Sequence, residues 1–168
     1  MQKLILFFCD LHGTLIGNIN NTEEDYIRFN SLLNSLSLSN NVIFSMISTE
    51  NQETINYYHQ LLKKYLNKNV ILGRQFYEDG YIYNDEAFNY SIGKCVQILG
   101  YIEDLSKTYD ITKIYFADDN DFNQEMIKEI INLKYPNIIF KSIIPKSLNG
   151  LSELNKLVED KIYKNKIK

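Results

Sequence analysis

The sequence opens with a short apolar run that ends in an acidic residue. Residues 3–9 are Lys-Leu-Ile-Leu-Phe-Phe-Cys, and Asp10 follows directly. A strand with one face in water alternates apolar and polar residues, whereas this run is apolar on both faces after its first residue. Strands that are covered on both faces occur mainly in parallel sheets flanked by helices. The run therefore predicts a central strand of an α/β protein.

Short apolar runs and longer amphipathic stretches alternate along most of the chain. This order predicts parallel strands joined by helical crossovers. The predicted fold class is α/β, a Rossmann-like three-layer α/β/α parallel sheet. The predicted strands are 3–9, 42–47, 69–72, 114–117 and 137–141. The first predicted helix starts after Thr22, and the others cover about 52–66, 91–106, 123–133 and 151–161.

Local signals add detail to this pattern. Thr22-Glu23-Glu24-Asp25 predicts a helix start with a capping box. Asp121 is predicted to contribute an N-cap to the helix after the 114–117 strand. Asp79-Gly80 lies between two aromatic, alternating runs and predicts a small β-hairpin insert.

Length, charge and cysteine content limit the function. A chain of 168 residues predicts one domain, residues 1–168. The net charge of −3 supplies no basic field and disfavours general nucleic-acid binding. Cys9 and Cys95 make no disulfide framework and are expected to be reduced, buried thiols. The first apolar run is too short for a signal peptide or a membrane span, so we expect a cytoplasmic protein with no membrane contact.

Chemically active side chains follow the predicted strands. Parallel sheets bind ligands at the carboxyl ends of their strands. The first strand ends in residues 10–15, Asp-Leu-His-Gly-Thr-Leu, and the second ends in Ser48-Thr49. The 114–117 strand ends in Asp118-Asp119, and Lys94 lies near the start of the helix before it. We expect these groups to meet at one edge of the sheet.

The four segments resemble, in order, the four motifs of the haloacid dehalogenase (HAD) superfamily of phosphatases. Residues 10–15 are similar to its first motif, usually Asp-x-Asp-Gly-Thr-Leu, and Ser48 matches the Ser/Thr of the second. Lys94 is a plausible third-motif lysine, and Asp118-Asp119 resembles the acidic pair of the fourth. The alternative for Lys94 is an ordinary solvated lysine in a first helical turn. The resemblance covers most of the chain, from about residue 3 to residue 133.

The resemblance implies a Mg²⁺-dependent phosphatase that hydrolyses a phosphate monoester through an aspartyl-phosphate on Asp10. The chemistry of the residues agrees, because phosphoryl transfer needs a nucleophile and cations near the phosphate oxygens. Three converging carboxylates would repel one another without a cation, and oxygen ligands suit Mg²⁺. The implied metal ligands are Asp10, Asp118, Asp119 and the backbone carbonyl of His12. The implied phosphate-binding residues are Thr14, Ser48 and Lys94.

Position 12 departs from the family pattern, which has a second aspartate there. In the family that aspartate protonates the leaving group and then activates water. An imidazole can do both near neutral pH, so His12 is the expected acid–base. Three outcomes stay open: a phosphatase that uses His12, a phosphotransferase or altered hydrolase, and a HAD-fold binding or regulatory protein without turnover.

The chain has room for no large cap domain. The stretch between Ser48 and Lys94 holds only a helix, a strand and the hairpin, whose aromatic residues could form a lid, a dimer contact or an extension of the sheet. An open site suits a phosphorylated macromolecule end, or a small molecule if a partner copy in a homo-oligomer covers it. A nucleic-acid end phosphatase is a further alternative, which the negative net charge opposes.

Overall fold

Strands and helices alternate strictly in the computed structural model, which describes residues 1–36, 41–48, 50–67, 69–71 and 86–167. The alternation that the sequence predicts is confirmed. The elements are β1 (Gln2–Cys9), α1 (Glu23–Ser35), β2 (Asn41–Met46), α2 (Gln52–Tyr65), β3 (Asn69–Ile71), α3 (Glu86–Leu105), β4 (Tyr109–Ala117), α4 (Asp121–Lys134), β5 (Ile139–Ile143) and α5 (Leu151–Ile167).

The described strands form one parallel sheet in the order β3-β2-β1-β4-β5. The chain runs from β1 outward through β2 to β3, and it then returns to place β4 on the other side of β1. The direction of winding therefore reverses between β1 and β4. A crevice opens at such a reversal, at the carboxyl ends of the strands, and ligands bind there in sheets of this kind.

Helices cover both faces of the sheet, which confirms the three-layer α/β/α class. The apolar run of β1 supplies both cores, because its successive side chains point in opposite directions. Ile5, Phe7 and Cys9 pack with residues of α1, α2 and α5 on one face. The alternate residues of β1, from Leu4 to Phe8, pack with residues of α3 and α4 on the other face.

Several element boundaries differ from the predicted ones. β4 begins at Tyr109 rather than residue 114, because its polar first half still pairs with the start of β1. α3 begins at Glu86 rather than residue 91, so Lys94 lies in its third turn and not in its first. β5 is Ile139–Ile143, displaced by two residues from the predicted range. The predicted hairpin at Asp79-Gly80 lies outside the described residues.

The helix caps confirm one prediction and correct another. Thr22 and Asp25 exchange the two hydrogen bonds of a capping box at the start of α1. The N-cap of α4 is Asn120, whose side chain accepts a hydrogen bond from the backbone N–H of Asn123 at 3.0 Å. The prediction of an N-cap at Asp121 is therefore wrong, since Asp121 is the first residue of the helix.

Two further expectations concern the cysteines and the membrane. Cys9 and Cys95 are both free thiols and both buried, as predicted. Burial raises the pKa of each thiol, so both stay protonated at neutral pH. None of the described helices is long and apolar enough to cross a membrane.

Phe7 should be among the most costly residues to truncate. Its ring is fully buried and contacts the rings of Phe29, Phe44 and Tyr115 at 5.8, 5.8 and 5.9 Å between centroids. We expect Phe7→Ala to lower the free energy of unfolding by about 3–5 kcal/mol, measured by urea denaturation. The control Leu133→Ala removes a side chain that is 82% exposed and should change it by less than about 0.5 kcal/mol. Similar losses in the two variants would contradict this account of the core.

Candidate active site

Three carboxylates meet where β1 and β4 end. Asp10 follows β1, Asp118 and Asp119 follow β4, and one oxygen of each lies within 4.8 Å of the others. The strand ends are joined by the Asp10 backbone N–H, which donates to the carbonyl oxygen of Ala117 at 2.8 Å. The predicted convergence of these residues is therefore present, at the reversal point of the sheet.

Lys94 lies between the carboxylates. Its Nζ donates to Oδ1 of Asp10 at 2.8 Å and to Oδ2 of Asp118 at 2.7 Å, and the residue is only 3% exposed. The alternative of a solvated lysine is wrong, because α3 starts earlier than predicted and presents this turn to the sheet. Three carboxylates and one ammonium leave a formal charge of −2 at the site.

Burial and mutual repulsion shift the pKa values of this cluster. Burial raises the pKa of Asp10 to about 7 against the opposing effect of the Lys94 ammonium, and the charge of Asp118 adds to the rise. Burial and then Asp118 also raise the pKa of Asp119. Burial acts to lower the pKa of Lys94, but the two carboxylates that it contacts raise it above its ordinary value. The cluster therefore holds a charged lysine and lacks positive charge for its carboxylates.

Polar residues at the start of α4 hold Asp118 in place, and the sequence analysis did not single them out. The backbone N–H of Asn120 donates to Oδ1 of Asp118 at 2.8 Å, and Nδ2 of Asn123 donates to Oδ2 at 3.1 Å. Nε2 of Gln124 lies 3.0–3.1 Å from three carbonyl oxygens at the ends of β4 and β5. Their only sequence signal is the run of polar residues that begins a helix directly after the acidic pair.

Gly13 brings the turn after β1 close to Asp119. Its φ of +84° lies in the left-handed region, which glycine adopts without strain. A β-carbon at this position would lie 2.4 Å from Oδ2 of Asp119. The glycine of the first motif therefore permits both the turn and the position of a carboxylate in the cluster.

The two predicted hydroxyl residues, Thr14 and Ser48, follow β1 and β2, and both are buried. Oγ of Ser48 accepts a hydrogen bond from the backbone N–H of Glu50 at 3.0 Å. Oγ1 of Thr14 is buried and has no hydrogen-bond partner among the described residues. An unpaired buried hydroxyl costs about 1–3 kcal/mol, so an oxygen atom of a ligand or of water at Thr14 would be stabilising.

His12 lies at the edge of the site rather than within the carboxylate cluster. Its side chain is 59% exposed, and Nε2 lies 2.9 Å from Oε1 of Glu50. Glu50 therefore occupies Nε2, and no hydrogen bond of Nδ1 is present among the described residues. Glu50 is not predicted from the sequence, because it lies beyond the second strand and belongs to none of the four segments that resemble HAD motifs.

The donor set fits a divalent cation. Hard cations such as Mg²⁺ prefer oxygen ligands, and the three carboxylates offer oxygens from two adjacent strand ends. A doubly charged ion would balance the formal charge of −2 that remains after Lys94. No protein-family model matches the chain, and no curated protein matches it.

Replacing Gly13 should weaken cation binding. In Gly13→Ala the new methyl group must displace the carboxylate of Asp119, and the backbone is strained at positive φ. We expect about a tenfold or greater loss of Mg²⁺ affinity, measured by isothermal titration calorimetry.

Gly100→Ala is the matched control, because a β-carbon there meets nothing within 4 Å. It lies within α3 and should raise the free energy of unfolding by up to about 1 kcal/mol without changing the affinity. Unchanged Mg²⁺ affinity in Gly13→Ala would show that the cation does not bind at Asp119.

Proposed function

We propose that the protein is a Mg²⁺-dependent phosphohydrolase that cleaves phosphate monoesters through an aspartyl-phosphate on Asp10. The observation that carries this proposal is the buried Lys94, whose ammonium contacts both Asp10 and Asp118 at the reversal point of the sheet. A lysine held between a nucleophile and a neighbouring carboxylate places positive charge where phosphate oxygens gain negative charge. The resemblance to the HAD motifs supports the same assignment.

The Mg²⁺ ion would be held by Asp10, Asp118, Asp119 and the backbone carbonyl of His12. When bound, it would offset the carboxylate charge and stabilise the charge on the phosphoryl oxygens. The fit of Mg²⁺ to this site rests on a donor set made only of oxygen atoms and on the formal charge of −2 that the carboxylates and Lys94 leave.

The first half of the proposed reaction forms a bond between a carboxylate oxygen of Asp10 and phosphorus. The bond between phosphorus and the ester oxygen breaks, and that oxygen takes a proton from the His12 imidazolium as it leaves. In the second half, neutral His12 removes a proton from water, whose oxygen attacks phosphorus. The bond between phosphorus and the Asp10 oxygen breaks, inorganic phosphate departs, and the Asp10 carboxylate and the His12 imidazolium are restored.

Other residues hold the phosphate and position the histidine. Ser48 and Thr14 are the proposed hydroxyl donors to phosphoryl oxygens, and Lys94 supplies charge. Glu50 is a positioning residue, because its contact with Nε2 holds the ring of His12 in one orientation. The backbone N–H of Glu50 also donates to Ser48, so this residue connects the acid–base to a phosphate donor.

The substrate is a phosphorylated small molecule or a phosphorylated macromolecule end. The net charge of −3 argues against a general nucleic-acid substrate. We place the protein in the cytoplasm, where two free thiols stay reduced.

A HAD-fold binding or regulatory protein without turnover is the second candidate. One observation favours it: the ion pair of His12 is made with Glu50, and no contact between its side chain and Asp10 is present among the described residues. A carboxylate at position 12 would be shorter and aimed differently. Steady-state measurements on the wild type distinguish the two candidates.

Asp10→Asn should abolish turnover. The amide cannot act as the nucleophile, so phosphate release from p-nitrophenyl phosphate should fall by at least about a thousandfold. The wild-type rate should vanish when a chelator replaces Mg²⁺. The control Asp104→Asn alters an aspartate whose side chain is 78% exposed, on the far part of α3, and should keep the full rate.

Two results would count against the proposal. Wild-type turnover in a folded Asp10→Asn protein would exclude the aspartyl-phosphate. No turnover of any phosphate monoester by a wild-type protein that binds Mg²⁺ would favour the binding or regulatory candidate.

Glu50→Gln should lower kcat while leaving KM nearly unchanged. The amide keeps the size of the side chain but lacks the carboxylate charge beside Nε2, so it holds the ring of His12 less firmly, and we expect about a tenfold loss in kcat in steady-state assays. Glu53→Gln is the matched control, since Glu53 is an exposed residue in the first turn of α2. An equal loss in both variants, or a change in KM alone, would show that Glu50 does not position His12.

A further inference from the structure

A cavity of about 360 Å³ lies between the segment after the Asp10 turn and the helices α1 and α2. The proposed reaction does not use it. Most of its walls are formed by aromatic and apolar side chains. The residues that matter here are Ile16, Glu23, Tyr26, Tyr57, Tyr58 and Tyr65.

The cavity adjoins the proposed acid–base. Ile16, which lines it, pairs through its backbone with His12, and its carbonyl oxygen accepts from the N–H of Gly13 at 2.8 Å. Tyr58, another residue of the cavity wall, lies on α2, which begins two residues after Glu50. Glu50 in turn contacts His12. The segment that follows His12 and the helix that follows Glu50 therefore both contribute residues to the cavity wall.

We propose that this cavity binds the leaving group of the substrate and that this group carries a planar aromatic ring. The inference rests on the proposed phosphatase function. His12 would protonate the ester oxygen, so the rest of the leaving group extends from that oxygen on the side of the histidine. Among the described residues, this cavity adjoins the segment that carries His12, through Ile16.

The aromatic assignment follows from the walls. The rings of Tyr26 and Tyr65 stack 5.1 Å apart at 13°, and the rings of Tyr57 and Tyr58 meet edge to face at 5.0 Å and 90°. Such walls offer ring faces and ring edges, and aromatic ligands pack against both. Tyr57 is 64% exposed, so a large part of its ring is free to cover a ligand.

The charges of the cavity disfavour a leaving group that carries an anionic group of its own. The described lining includes one carboxylate, Glu23, and no lysine or arginine, so a second anionic group would lack a partner. Glu23 is the first residue of α1, where the helix dipole already stabilises a negative charge. Its presence therefore does not require a cationic ligand.

The walls are also held in place without a ligand. Nδ2 of Asn21 donates to the carbonyl oxygen of Leu15 at 2.9 Å and to the hydroxyl of Tyr26 at 3.4 Å. Oδ1 of Asn21 accepts from the backbone N–H of Leu151 at 3.0 Å. A preformed pocket loses little ordering entropy on binding, which suits recognition of a rigid ring.

The test compares phosphonates, whose C–P bond this reaction cannot cleave. Binding to the wild type with Mg²⁺ is measured by isothermal titration calorimetry with benzylphosphonate, methylphosphonate and 2-aminoethylphosphonate. We expect benzylphosphonate to bind about tenfold more tightly than methylphosphonate, because only its ring reaches the cavity. Tyr57→Ala should remove most of this difference and leave methylphosphonate binding unchanged. Tyr163→Ala, which truncates a tyrosine on α5 that is 54% exposed, should preserve the difference.

Each other outcome overturns a specific claim. Equal affinities for the benzyl and methyl compounds, or a Tyr57→Ala variant with the full difference, would overturn the leaving-group site while leaving the phosphatase proposal intact. Tighter binding of 2-aminoethylphosphonate than of benzylphosphonate would overturn the aromatic assignment. Binding of none of the three would overturn the phosphate site itself, and the inference with it.

Discussion

The ammonium of Lys94, buried between Asp10 and Asp118, is the interaction on which the rest of the site depends. Three carboxylates at adjacent strand ends repel one another, and a buried lysine without partners would lose its charge. The lysine makes the burial of the two aspartates possible, and the aspartates make the burial of the lysine possible, since both Nζ contacts are shorter than 2.9 Å. Removing either partner would leave an uncompensated charge in the interior, which costs about 3–5 kcal/mol.

This arrangement constrains the fold around it. Lys94 can reach both aspartates only if α3 lies across the face of the sheet beside β1 and β4. Cys95, Ile98 and Ile102 of α3 fix it there by packing against residues of those strands. The reversal of strand order then places Asp10 and Asp118 on neighbouring strands, although 108 residues separate them in the sequence.

The sequence predicts those features that depend on local pattern. The apolar run of β1 predicts the parallel sheet, because strands buried on both faces occur mainly in parallel sheets covered by helices. The acidic residues after β1 and β4 could be placed together, because parallel strands end at the same edge. The start of α3 was predicted five residues late, so Lys94 was placed in a first turn, where a solvated lysine was a real alternative. Glu50, Asn123 and Gln124 could not be found from pattern, since their roles arise only from contacts across the fold.

The structure divides the site into a buried half and an exposed half, and this division bears on the histidine at position 12. Asp10, Lys94 and Asp118 are buried, which strengthens their electrostatic interactions and fixes their geometry. His12 lies at the boundary with water, where the attacking water of the proposed hydrolysis must enter. Its ring contacts Glu50 instead of the carboxylate cluster, so an imidazole can stand at this position without disturbing the charges around Asp10. The tyrosine-lined cavity adjoins the same segment through Ile16, whose backbone pairs with His12. In the proposed reaction, a proton donor at this position acts on an ester oxygen whose phosphorus faces Asp10 and whose carbon skeleton lies among the tyrosines.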